Sequence, residues 1–137
     1  MDIVKKAMYL AMTTDAILMG KLWQDPYPGR LPESSKLSKT KGAVTYGGEA
    51  TSLGHAKWRI SITVSIGTQS PDLADSIAKD LKRLFHPLPA TRGKWRTLVV
   101  TEGQAQIHLE FATDVPDEAS ELFVHTMRFV VMFTEKP

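Results

Sequence analysis

The chain has 137 residues and a mass of 15.2 kDa, with 42% hydrophobic and 23% charged residues and a mean hydropathy of -0.17. That length suffices for a single domain with one ordinary core, and that balance excludes a collagen-like or wholly disordered polymer. Seventeen Lys and Arg against fifteen Asp and Glu leave a net charge of only +2, too even for a protein whose main task is neutralising phosphates, and the lack of cysteine excludes disulfides, thiolate zinc sites and a cysteine nucleophile.

The first residues place Ile3, Val4, Ala7, Met8, Leu10 and Ala11 on one helical face with Asp2 as a cap, which predicts a helix over 2–13. A second short apolar group, Ala16, Ile17, Leu18, Met19 and Leu22, follows Thr14 and Asp15 and stops near Gly20, which predicts one turn of helix packed on the first. No run approaches the roughly 18 apolar residues of a membrane span, and the N-terminus lacks a signal-peptide cleavage pattern, so the expectation is a protein neither inserted in a membrane nor exported by a signal peptide.

From Asp25 to Gly54 the composition changes to three prolines, five glycines and many Ser, Thr and Lys, which reads as a long, flexible, basic loop at about 25–54 with a short strand near Ala43 to Tyr46. The clearest strand comes next. Trp58, Ile60, Ile62, Val64 and Ile66 alternate with Arg59, Ser61, Thr63 and Ser65, the period of a sheet with one buried and one wet face.

Ser70 as N-cap, Pro71 at the first position, Asp72 and Asp75 early and Lys79, Lys82 and Arg83 late define an amphipathic helix with Leu73, Ile77, Leu81, Leu84 and Phe85 inward, stopped by Pro87. Three extended segments close the chain: Trp95 to Thr101, Ala105 to Thr113, and a long strand from Glu121 to Glu135. The last is apolar on both faces in its second half, so it belongs in the middle of a sheet or under a partner. The order predicts a single α+β domain, an antiparallel sheet of about four strands with helices packed on one face.

No nucleophile elbow, phosphate loop, zinc-protease helix or dinucleotide fingerprint is present. His108 and Glu110 share a strand face and His125 lies on the expected neighbour, a weak acid-base or metal constellation that a polar strand face produces without function. The expectation is no catalytic residue, no metal and no cofactor. Charge is segregated instead. Six basic residues and two acids lie between Arg30 and Arg59, while Glu102 to Glu121 holds six acids and no Lys or Arg. The residues expected to bind a partner are Arg30, Lys36, Lys39 and Lys41 on the basic side and Asp114, Asp117, Glu118 and Glu121 on the acidic side. The basic loop also allows non-specific contact with DNA passing nearby.

The short N-terminal helix, the loop Pro26-Tyr27-Pro28-Gly29-Arg30, the strand W-R-I-S-I-T-V from Trp58, the helix S-P-D-L-A-D-S-I-A-K-D-L-K-R-L-F from Ser70 and the final R-F-V-V-M-F from Arg128 together resemble the tail completion, or tail terminator, proteins of long-tailed bacteriophages, over about residues 2–134. The resemblance implies a structural virion protein that assembles with itself as a six-fold ring. Such a ring caps the tail tube protein, ends its polymerisation and joins the tail to the head connector, after assembly in the host cytoplasm. Another neck or baseplate adaptor protein, or a small-ligand enzyme of α+β fold, would share the composition and layout.

Overall fold

In the computed structural model, residues 2–86, 95–117 and 122–136 are described. Helices α1 (Asp2–Thr13) and α2 (Ala16–Met19) are followed by β1 (Tyr27–Pro28), a 3-10 turn (Ser34–Lys36), β2 (Ala43–Gly54), β3 (Lys57–Thr68), α3 (Pro71–Phe85), β4 (Arg96–Leu98), β5 (Gly103–Asp117) and β6 (Leu122–Glu135). The sheet is larger than expected and mixed. Its order is β1-β2-β3-β6-β5-β4, with β1 parallel to β2 and every other pair antiparallel.

The loop expected at 25–54 is corrected in its second half, because residues 43–54 form a full partner for β3. The sequence AVTYGGEATSLG has weak strand propensity, but the ladder with β3 supplies what propensity lacks. The turn between them is equally concealed. Gly54 has φ of 82°, and the two central residues His55 and Ala56 have φ of 51° and 61°, the left-handed pair that a two-residue hairpin demands, made here without the usual Asn-Gly or Asp-Gly. Gly48 is required for a different reason. A Cβ there would sit 2.5 Å from both the Ile62 Cδ1 and the Ser61 carbonyl, so only glycine lets β2 lie this close to β3.

The three helices cover one face. On it Ile60, Ile62, Val64 and Ile66 of β3 and Met127, Phe129, Val131 and Phe133 of β6 are all at most 1% exposed, packed under Val4, Met8, Met12, Ile77, Leu81 and Phe85. In α1 the buried stripe runs through Met12, and Leu10, expected inward, is 62% exposed. The Phe85 and Phe129 rings meet edge to face at 5.6 Å. β6, apolar on both sides, lies centrally as expected. Ion pairs tie the helices together: Asp15 caps α2 through the Leu18 N–H and receives Arg83 at 2.7 Å, which holds its carboxyl below the usual range, while the largely buried Asp80 takes Lys21 at 2.7 Å and Arg83 at 3.6 Å. Ser70 stands at the N-cap of α3, but its side chain makes no cap bond; its carbonyl receives the Thr68 hydroxyl instead.

The other face carries no helix. Across its middle run Ser61, Thr63 and Ser65 of β3 beside Thr126, Arg128 and Val130 of β6. At one end a second small cluster, Leu37, Ala43 and Leu122 with Leu31 and Trp23, forms where the segment after β1 folds back over the sheet. Gln69 pins that segment by donating to the Ser34 and Leu37 carbonyls at 2.7 and 2.8 Å.

Candidate assembly surfaces at the sheet edges

The sequence of each outer strand leaves part of its edge open. β1 pairs with β2 only opposite Thr45 and Tyr46, so among the described residues no strand covers β2 from Gly48 to Gly54. At the other side β4 covers β5 only from Ala105 to Ile107. The next free donor, the Leu109 N–H, is taken by the His86 Nδ1 at 3.1 Å, and from Glu110 to Asp117 no described strand pairs with the outer edge. An unpaired edge is a row of backbone donors and acceptors ready for another strand. The two edges differ in protection. β5 carries Glu110, Asp114, Pro116 and Asp117 there, whereas β2 has a single charge, Glu49, and neither Lys nor Pro.

The expected basic residues lie along the segment that follows β1. Arg30 follows Gly29, whose φ of 124° turns the chain away from β1; Lys36 ends the 3-10 turn; and Lys41 donates to the Gly20 carbonyl at 2.6 Å. Arg30, Lys36, Lys39 and Lys41 are all exposed, and among the described residues none of them forms an ion pair. Of the acidic set, Asp114 and Asp117 take register positions in β5 opposite His125 and Leu122, and Glu118 and Glu121 lie outside the described residues. The segment that carries the basic residues packs through Leu31 and Leu37 with Leu122, whose ladder partner is Asp117, so it lies over the same end of the sheet as the end of β5.

The His108, Glu110 and His125 constellation is not assembled. His108 lies opposite Val130 and its ring meets that of Trp95 at 3.9 Å. Glu110 sits in a bulge of β5 and reaches Arg59 at 3.8 Å, and His125 is five residues further back along β6 than Val130, about 17 Å away. Sequence reasoning missed His86, since a histidine before a proline at a helix end gives no sign that it will cap a strand edge. Burial first, then the nearby His108 and Lys82, holds its imidazole below the usual range, which suits a ring that must keep Nδ1 unprotonated to accept from Leu109.

Because the folded state favours the neutral ring, the unfolded chain takes up a proton first as pH falls below about 6.5, and stability declines until the folded ring is also protonated. Thermal midpoints at pH near 7.5 and 5.5 should therefore differ, with a smaller difference in His86→Phe. An unchanged difference in that variant would show that His86 has no part in it.

No protein-family model matches the chain, and no curated protein matches it in sequence. Among solved structures it is similar to a chain of the virion of a native gene transfer agent particle, with a TM-score of 0.72 and 15% identity over 97% of this chain and 96% of that one. At that identity the likeness establishes a shared fold along the whole length.

Proposed function

We propose that the protein is a structural component of a phage-like virion, a tail terminator that seats as a ring on the last ring of the tail tube, ends its polymerisation and presents a surface to the head connector. The observation that carries this reading is the end-to-end likeness in fold to a virion chain. It joins the sequence resemblance to tail completion proteins, drawn from other grounds. The role is assembly rather than catalysis. A ring joins one patch of a subunit to a different patch of its neighbour, and a chain whose basic and acidic residues fall in separate segments offers charges of both signs for such a contact. Six copies would match a six-fold tube, with the exposed Arg30, Lys36 and Lys39 available to DNA passing nearby.

The test reverses charge at the acidic end. Asp117→Lys with Glu118→Lys should lower the yield of infectious particles and give tails of irregular length, with recovery when Lys39→Glu and Lys41→Glu are added. Each exposed pair contributes only about 0–1 kcal/mol, so added salt should weaken assembly without abolishing it. Tails of normal length, joined to heads, in particles lacking the protein altogether would end this reading; overlong unjoined tails support it, and normal-length unjoined tails favour a neck adaptor.

A further inference from the structure

The geometry points to edge-to-edge strand pairing between copies: the open edge of β2 (Gly48–Gly54) in one subunit receives the open edge of β5 (Glu110–Asp117) from the next, making one continuous sheet around the ring. This rests on the ring-forming reading and specifies its contact. Three observations carry it. The two open segments are of similar length, seven and eight residues, and lie on opposite sides of one sheet. Their polarity fits, because β2 and β6 run one way and β3 and β5 the other, so a neighbour's β2 beside β5 continues the antiparallel alternation. With Thr51 set opposite Thr113, Leu53, the extra residue of a bulge near the end of β2, comes close to Phe111, and these two are exposed large hydrophobic residues on the two open edges, at 49% and 46%.

The stagger decides whether such pairing closes. Thr51 is level with Arg59, Met132 and Gln106 across the sheet, and Thr113 stands seven residues beyond Gln106, one of them spent in the bulge, so each copy is displaced about 20 Å along the strands. One step from β2 to the next copy's β2 spans four strands, about 19 Å. Strands leaning about 45° from the ring axis bring successive copies back to the same height, and closed sheets adopt a lean of about that size. Six copies would then enclose a bore about 50 Å across between backbones, with the helices outside. β4 of one subunit lies beyond its neighbour's hairpin turn, and β1 of the neighbour ends opposite Tyr46, one position before Gly47, which takes Asp117, so neither short edge strand occupies the paired segments.

The native chain has no cysteine, which makes a clean test possible. Thr51→Cys and Thr113→Cys in one chain are too far apart to close an internal disulfide, which needs Cα atoms within about 7 Å. Mild oxidation of the purified double variant should give a reducible ladder of linked copies ending at a closed ring. Each single variant should give at most dimers, and Thr51→Cys with Thr97→Cys, at the covered end of the same edge, should give no ladder. Glu49→Cys with Val115→Cys provides a second pair of the same register. Larger assemblies by native mass spectrometry without either cross-link, or a ladder equally strong with Thr97→Cys, would overturn the edge pairing and leave the ring reading standing. A chain that neither assembles nor cross-links at any concentration overturns both.

Discussion

Leu81→Asp and Ile62→Asp each abolish cooperative folding. Both side chains are 0% exposed, Leu81 on the inner face of α3 and Ile62 in the middle of β3, and together they span the layer between helices and sheet. A carboxylate at either place finds no described cation to pair with; Lys21 and Arg83 are held by Asp80 and Asp15. An unpaired buried charge costs several kcal/mol or remains protonated at a similar penalty, comparable to the about 5–15 kcal/mol that holds an ordinary domain together. Circular dichroism on soluble material should show no sigmoidal melt for either variant. A cooperative transition near the wild-type midpoint would mean that the helix layer packs on the sheet differently.

Phe129→Ala is expected to retain the fold at a loss of about 3–5 kcal/mol. Phe129 lies on the central strand, pairs across the sheet with Ile62 and Leu109, and meets Phe85 edge to face. Removing its ring leaves a cavity bordered by two rigid strands and a 15-residue helix, which have little freedom to collapse into it. Val130, the next residue, is as buried but faces away from the helices, where Arg128 and Met132 flank it and flexible side chains can move in. Val130→Ala should therefore cost no more than about 1–2 kcal/mol. The two midpoints in urea, read with an unchanged slope, check the difference, and equal losses would deny the distinction between the faces.

The elements that could be read from the chain are those whose own composition decides them. β3 alternates cleanly, α3 carries its start and stop signals, and β6 is apolar on both sides and therefore central. β2 was hidden because its pattern is half glycine and small polar residues, and because a left-handed turn built from His55 and Ala56 does not announce a hairpin. β1 was invisible for another reason: two residues ending in proline form a parallel pair only because the rest of the sheet is already in place. The segregation of charge could be counted from the sequence, but where each group lies in the fold depends on strand order and on how the segment after β1 packs, which no local pattern encodes. His86 and the open edges belong to the same class, since an edge is defined by what fails to pair with it.

The position of β6 has a consequence for the order of events in synthesis. Among the described elements the central strand emerges last, and until it does the sheet exists as two parts, β1-β2-β3 on one side and the β4-β5 pair on the other, linked in the chain by α3. Both the inner edge of β3 and that of β5 stay unsatisfied during that interval, and the isoleucines of β3 have helices on one side but no neighbouring strand. The nascent chain therefore cannot reach its native state domain-half by domain-half; it waits for residues 122–135 and then closes through β3–β6 contacts between residues 55 to 77 positions apart. Folding of this kind is slow for the chain's size and leaves a window for mispairing with other nascent copies, so the cell that makes this protein meets its aggregation risk before the final strand arrives rather than after.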